Sequence, residues 1–423
     1  MPHTALHDSL NLLRTRKFGT FWFASLLSSI GTWAQQVAQP WLLLSLGASP
    51  FLVGLDAFAL SAPVWALTLL GGQLADRADR RRVIAVFQSI QMLCPTLIVI
   101  LVLLGTVRPW MIICLSVIVG VTDALSMPSF SSIVPTIVRH DQIAAGVALN
   151  STQFNISRIA GPAIAGVLIA TIGASGCFAL SALSYIPFIG IALWILPPRA
   201  SAVPLRGAFD VRHSFAGLRA VTTVPYLRGA LVTAFASGLL CGPLITFVPV
   251  LVKAEFGGSA QEFSIAVSAF GVGGVLGAFG LLGITNRIDR RRLSSWFAAA
   301  HGLAVVAVAL DPWSVVLPGL LVGAGVAMSI TNTSTNALVQ GAASPQLLGQ
   351  AVSVYMLAMR GGIALGGFST GLTVSWLGVR EALLLNGTLA IVAQALIGRV
   401  WARAPVPVEA LSRPTDVGVP AAH

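Results

Sequence analysis

Long apolar runs follow one another along almost the whole chain, and only short polar turns separate most of them. Only 9% of the 423 residues are charged, whereas a soluble domain has about 25%. With 56% apolar residues, the chain has too few polar side chains to cover the surface of a soluble protein of this length. A spanning helix takes about 20 apolar residues, so there is room for about a dozen spans. The sequence therefore predicts an all-α, polytopic membrane protein and excludes a soluble enzyme.

The longest polar stretch, residues 198–226, divides twelve candidate spans into two groups of six. The predicted spans are residues 18–46, 51–75, 83–106, 109–138, 143–171, 175–197, 227–253, 261–286, 292–310, 313–340, 349–376 and 379–402. We therefore expect a six-helix bundle over residues 1–197, a cytoplasmic central loop over 198–226 and a second six-helix bundle over 227–402. The proline-containing residues 403–423 are predicted to form a flexible cytoplasmic tail.

Basic residues concentrate on one side of the predicted spans. If the N-terminus is cytoplasmic, the inner segments hold 20 of the 25 Lys and Arg residues, and the outer loops hold Arg108, Lys253 and Arg380. Because basic loops remain in the cytoplasm, this asymmetry predicts a multi-pass protein of the cell inner membrane with both termini cytoplasmic. The same explanation accounts for the net charge of +11 without a nucleic-acid partner. The expected partners are the lipid bilayer and a small molecule, and we expect a monomer.

No motif for nucleotide hydrolysis, metal binding or a disulfide framework accompanies the spans. The chain has two lysines, Lys17 and Lys253, and neither stands in the Gly-Lys-Ser/Thr order of a phosphate-binding loop. The four cysteines and six histidines lie scattered, without the spacing of a metal site. We therefore expect no cofactor, no metal ion and no enzymatic activity.

The two predicted bundles resemble each other in sequence. The segment RADRRRV at 77–83 recurs as RIDRRRL at 287–293, which is 210 positions later, and Pro40 matches Pro249 at an offset of 209. Matches in the same order at nearly constant offset indicate a duplicated six-helix unit. Both copies begin on the same side of the membrane, so the repeats are parallel and related by a pseudo-twofold axis along the membrane normal. That symmetry predicts a binding site between the halves.

The loop between the second and third predicted spans carries a recognisable motif. Residues 72–83, GQLADRADRRRV, resemble the loop signature of the major facilitator superfamily, and the degenerate copy at 287–293 lies where that family has a second one. The resemblance covers essentially the whole chain and implies the major facilitator fold. Within the superfamily the chain is similar to the drug and siderophore exporter branch, which includes enterobactin-exporter-like and macrolide-efflux-like proteins. The segments that carry this similarity are Asp123-Ala124, Met127-Pro128, Val134-Pro135, 148–151, Arg158 with Gly161-Pro162, Gln340 and 353–356.

The resemblance also implies a conformational switch in this loop, formed by Gly72, Asp76, Arg77 and Arg80. The alternative is that its charges only anchor the loop in the cytoplasm. The chain departs from the family at two points: Asp79 stands where a glycine is usual, and the second copy has Asn286 at the position equivalent to that of Asp76.

Four ionisable residues fall within the predicted spans, namely Asp56, Asp123, Arg158 and Arg360. A charge at bilayer depth costs at least ~2.5 kcal/mol and is functional by default. Asp123 and Arg158 each lie 15 residues from the inner end of neighbouring predicted spans, which is ~22 Å at 1.5 Å per residue. This depth match predicts an ion pair between them. Arg360 has no acid of its own half nearby. Two roles for it are equally consistent with the sequence: it binds an anionic substrate group, or it bonds backbone carbonyls or Asn332 and Asn336 of the tenth span.

Other polar residues indicate which spans line a cavity. The predicted substrate-site residues are Gln36, Asp123, Asn150, Gln153, Asn155, Arg158, Asn332, Asn336, Tyr355 and Arg360. The candidates for proton coupling are Asp56 and Asp123, and Asp56 is the better one if Asp123 is firmly paired. The alternative for Asp56 is simple solvation at the mouth of the cavity.

Together these features predict a secondary transporter that works by alternating access. The expected activity is proton-driven export of a small amphipathic compound, such as a drug, a macrolide or a siderophore. The alternatives are a metabolite importer or a lysolipid flippase on the same fold, and a non-transporting membrane sensor or scaffold. The sequence contains no long polar domain of the kind that a sensor needs, and it leaves the identity of the substrate open.

Overall fold

The computed structural model describes residues 11–77, 79–131, 133–139, 142–195, 224–283, 289–342 and 348–402. These residues form twelve long helices, numbered here first to twelfth, and contain no strand. The first six are Arg16–Ser45, Pro50–Arg77, Arg80–Leu103, Pro109–Ser131, Ile143–Thr171 and Ala174–Ile195. The second six are Pro225–Leu240 continued by Pro243–Val250, Ala260–Gly283, Arg290–Leu310, Leu317–Ala342, Leu348–Leu377 and Val379–Ala402. A short helix, Ile133–Ile137, follows the fourth helix, and a π-helical turn, Leu251–Glu255, ends the seventh.

The surface of this bundle suits a bilayer. Within the described residues, eight helices are long and apolar enough to cross a membrane by length and composition. The first and tenth helices do not meet that measure because they bury polar side chains, such as Gln39 and Asn332, toward the protein interior. Large apolar side chains such as Val167, Phe279 and Leu303 point outward and are more than half exposed. In a membrane these side chains would contact lipid, and the helical backbone satisfies its own hydrogen bonds.

The helices of the two halves pack in the same pattern. In the first half, the first helix contacts the fifth and sixth, the second contacts the fourth, and the third contacts the fourth and sixth. Each of these contacts recurs six helices later: the seventh helix contacts the eleventh and twelfth, the eighth the tenth, and the ninth the tenth and twelfth. The sequence repeat therefore corresponds to a repeated packing arrangement.

The third and ninth helices begin with the same N-cap. The Asp79 carboxylate accepts a hydrogen bond from the Arg81 backbone N–H at 3.0 Å, and Asp289 accepts one from Arg291 at 2.9 Å. Partial burial alone would raise the pKa of Asp289, but the hydrogen bonds and charge of Arg291 outweigh it and lower this pKa. Asp79, which departs from the family motif, and its counterpart Asp289 thus each satisfy a free backbone N–H group at the start of a helix.

Small residues join the two halves. The second helix packs on the eleventh, where a Cβ added to Gly54 would lie 2.9 Å from the Cα of Gly371. The fifth helix packs on the eighth, where a Cβ on Gly271 would lie 3.0 Å from the backbone N of Ala163. Small side chains let helix backbones approach closely inside a membrane. These two crossings are equivalent under the repeat, so the halves meet along two symmetric seams.

We call the end of the bundle where the described chain starts and stops the terminal end, and the opposite end the distal end. The apolar core of the distal end is shared by both halves. There Trp41 stacks on Phe263 with 4.8 Å between ring centroids, and the Lys253 ammonium donates to the Leu44 carbonyl at 2.7 Å. The halves are therefore tightly closed against each other at the distal end.

At the terminal end the described residues form two separate apolar cores, one in each half. The first surrounds Phe18 and Phe188, and the second surrounds Tyr226 and Trp401. From the first half, the partly buried Phe154 packs against the edge of the second core. One described core thus unites the halves at the distal end, whereas at the terminal end each half has its own core and Phe154 reaches the second core from the first half.

Candidate functional site

A cavity of about 900 Å³ lies between the two halves, and both halves line it. The first and fifth helices contribute Trp33, Gln36 and Arg158. The second half contributes apolar side chains such as Phe270 and Met328, together with polar groups such as His301 and Asn332. Mostly apolar walls with a few polar groups are typical of a small-molecule site. Its position agrees with the interface predicted from the sequence repeat.

Arg158 enters this cavity from the fifth helix. Its guanidinium carbon lies 5.8 Å from the centroid of the Trp33 ring, and its Nη1 lies 3.6 Å from the Met359 sulfur. No carboxylate of the described residues lies within ion-pair distance of it. The predicted Asp123–Arg158 pair is therefore wrong, and Arg158 is a cation held by an aromatic ring and a thioether.

Asp123 pairs instead with Arg360, which is 237 positions away on the eleventh helix. The Arg360 Nη1 donates to the Asp123 Oδ2, and this contact joins the first half to the second. The expected role of Arg360 as an unpaired cation is consequently wrong too. The depth argument failed because it compared helices within one half, whereas the facing partner belongs to the other half.

Asp56 lies in a buried polar network within the first half, at 4% exposure. Its carboxylate accepts hydrogen bonds from Gln39 Nε2 and from Ser116 Oγ, each at 2.6 Å. Gln39 Nε2 and Ser116 Oγ are themselves 2.8 Å apart. A second, small cavity, which Gln36 also lines, adjoins this network. Solvation of Asp56 at a cavity mouth, the alternative considered from the sequence, does not agree with this burial.

Three other predicted substrate residues do not line the central cavity and instead form structural hydrogen bonds. Gln153 Nε2 donates to the Ser25 carbonyl at 3.0 Å and so ties the fifth helix to the first. The Tyr355 hydroxyl donates to the Asn332 carbonyl at 3.1 Å within the second terminal core. Asn336 accepts a hydrogen bond from Gln340 at 3.0 Å.

The remaining predicted positions divide into two groups. Gln36 and Asn332 line the central cavity, and Asn150 has a buried side-chain oxygen without a hydrogen-bond partner in the described part of the chain. The side chains outside the described part of the structure are Asn155 and the switch group Gly72, Asp76, Arg77 and Arg80.

Sequence reasoning missed His301 as a site residue. This side chain of the ninth helix is 3% exposed and lines the central cavity. Neither ring nitrogen has a hydrogen-bond partner among the residues that the structure describes. A buried imidazole without partners is uncommon because leaving such polar groups unsatisfied costs free energy. The sequence offered only one weak signal, a single histidine within an apolar run.

Comparison with known proteins agrees with this architecture. Residues 8–413 match the model of a major facilitator family described as "Transmembrane secretion effector". The chain belongs to this family, and so it is a multi-pass membrane transporter and not an enzyme.

Two curated relatives are transporters of different cargo. The chain is 25% identical over 298 residues to the staphyloferrin A transporter of Staphylococcus aureus (strain NCTC 8325 / PS 47). The aligned region covers 68% of this chain and 72% of that protein. It is 26% identical over 386 residues to the multidrug efflux pump Tap of Mycolicibacterium fortuitum, with 87% and 93% of the two chains covered. Both names agree with the predicted branch of the superfamily.

Solved structures show the same fold. A bacterial homologue of the human lysosomal transporter Spinster, in an inward-facing and unoccupied conformation, superimposes with a TM-score of 0.69 and 18% identity, and 93% and 98% of the two chains are covered. The nucleoside transporter NupG gives a TM-score of 0.70 at 14% identity, with 92% and 99% covered. At these identities the likeness concerns the fold alone.

Proposed function

We propose that this transporter exports a small amphipathic compound by alternating access, driven by the proton gradient. The observation that carries the proposal is the central cavity, which both halves line and which is closed at the distal end by a shared apolar core. With cytoplasmic termini, as the basic residues favour, the closed distal end faces the outside of the cell. The two bundles, residues 1–197 and 227–402, then rock about the glycine-lined seams to open the distal end.

The proposed energy source is a proton carried by Asp56. Its carboxylate has amide and hydroxyl donors, and among the described residues it has no basic partner that would hold its charge. Asp123, the other candidate, is paired with Arg360. Protonation of Asp56 would turn one of its two acceptor oxygens into a donor and so change its hydrogen bond with Gln39 of the first helix or with Ser116. A proton that crosses a membrane potential of about 100 mV releases about 2.3 kcal/mol, which is available to drive export.

Export is tested by accumulation of drugs and siderophores in cells that lack the gene, with the gene restored as a control. We expect at least one amphipathic compound to accumulate more in the deletion strain. A compound that accumulates less would instead indicate import. Unchanged accumulation of every compound, together with lysolipid movement in proteoliposomes, would indicate a flippase.

Proton coupling is tested with the exported compound in proteoliposomes that contain the Asp56→Asn protein. We expect transport driven by an imposed pH step to be lost while downhill exchange of the compound survives. The control is Glu381→Gln, which neutralises an acid in the first turn of the twelfth helix, outside the Asp56 network. Equal loss of both activities in Asp56→Asn would contradict the proposal.

A further inference from the structure

We infer that the transported compound carries an anionic group, a carboxylate or a similar oxyanion, which binds between Arg158 and His301 in the central cavity. This inference rests on the proposed transport function and specifies the substrate class of the same cavity. The two residues stand on opposite halves of the protein, on the fifth and ninth helices. An anion bound between them would contact both halves at once.

Arg158 supplies the fixed positive charge of this site. It projects into a mostly apolar cavity, and its contacts are the face of Trp33 and the sulfur of Met359. A guanidinium has five N–H donors and always keeps its charge, and the fork of donors matches an oxyanion with two oxygens. The contact with one weak sulfur acceptor leaves most of these donors available for a ligand.

His301 supplies a second donor from the other half. Both ring nitrogens are buried and have no partner among the described groups. An imidazole always has at least one N–H that can donate, and a bound oxyanion would satisfy it. A ligand oxygen thus accounts for a buried polar group that the protein itself leaves unsatisfied.

The charge of the cavity favours an anion over a cation. Among its described lining residues there is no Asp or Glu, and the ionisable groups are Arg158 and His301. Asp123 of the fourth helix does not line this cavity, and it already has a partner in Arg360. A cationic compound would lose hydration on entry and meet repulsion from Arg158, whereas an anionic compound would gain a charge-assisted hydrogen bond in a low-dielectric site.

The test compares two probes of the same shape and different charge, 2-naphthoate and the neutral 2-naphthamide. Binding to the purified full-length protein in lipid nanodiscs is measured by calorimetry. We expect the wild-type protein to bind the acid at least about 10-fold more tightly than the amide, because hydrogen bonds to charged groups contribute that much. Arg158→Gln should weaken acid binding about 10- to 100-fold and weaken amide binding much less, because hydrogen bonds between charged groups contribute more than those to a neutral amide. Arg158→Lys should retain part of the preference.

Arg228→Gln is the matched control, because Arg228 is an exposed arginine near the start of the seventh helix and does not line the cavity. It should bind both probes like the wild type. His301→Gln provides an independent variant if Arg158→Gln does not fold, and it should weaken binding of the acid more than binding of the amide. In addition, the ligand-free Arg158→Gln protein should melt no lower than the wild type, since Arg158 has no carboxylate to leave unpaired.

Equal binding of the acid and the amide by the wild type would overturn the inference, as would binding of neither probe at millimolar concentration. An acid preference that persists in Arg158→Gln would overturn it as well. If the preference is absent but gene deletion still raises compound accumulation, the anion site is wrong and export stands. If the preference depends on Arg158 but deletion affects no compound, export is wrong and the anion site stands.

Discussion

Loss of either charge from the Asp123–Arg360 pair would leave an unpartnered charge between the two halves. The side chains of Asp123 and Arg360 are 33% and 28% exposed, so the pair is neither fully buried nor a surface pair. Removing one partner of a fully buried pair costs about 3–5 kcal/mol, and an exposed pair contributes about 0–1 kcal/mol. We therefore expect Asp123→Asn and Arg360→Gln each to lower the free energy of unfolding by about 1–3 kcal/mol.

The double variant tests whether this loss comes from the pair itself. Because it leaves no charge unpaired, its unfolding free energy should exceed the additive expectation by about 1–2 kcal/mol. The measurement is a double-mutant cycle of unfolding free energies for purified protein in detergent. A strictly additive cycle would refute the pairing. The cycle of Asp123→Asn with Arg158→Gln is the matched comparison, and we expect it to be additive.

Three further predictions follow from other parts of the protein. Asp76→Asn should leave the protein folded and inserted but cut transport strongly; normal transport would favour a simple anchoring role of the loop. Gly54→Val should lower the melting temperature because the new side chain meets the eleventh helix. Gly190→Val, at a glycine with open space around it, should not lower it. Equal effects of the two variants would contradict the close packing of the second helix on the eleventh. Asp289→Ala should cost about 1 kcal/mol of stability at neutral pH. Because the folded pKa of Asp289 is lowered, this difference should be full above the ordinary carboxyl pKa of about 4 and disappear as the pH falls through the lowered value; melting temperatures between pH 3 and 7 check it.

The amino-acid sequence alone predicted the class of fold, because the signals for that class are local. A membrane helix is recognisable from about 20 consecutive apolar residues, whatever its neighbours are. The described helices agree with the predicted spans to within several residues at most ends, as with Arg290–Leu310 against 292–310. The duplication was also visible in sequence, because both copies retain Asp-Arg-Arg-Arg at the start of a helix, where Asp79 and Asp289 act as N-caps.

The partners of the charged residues were decided only by the tertiary structure. Sequence distance and depth along a helix place Asp123 and Arg158 at similar levels, but they do not tell which helix faces Asp123 across the interface. Arg360 of the other half takes that position, and Arg158 is consequently left against Trp33. His301 became a site residue for the same reason, because its unsatisfied imidazole matters only once packing places it in the cavity beside the opposite half. Hydropathy depends on consecutive residues, whereas the pairing of charges depends on how the two bundles pack against each other.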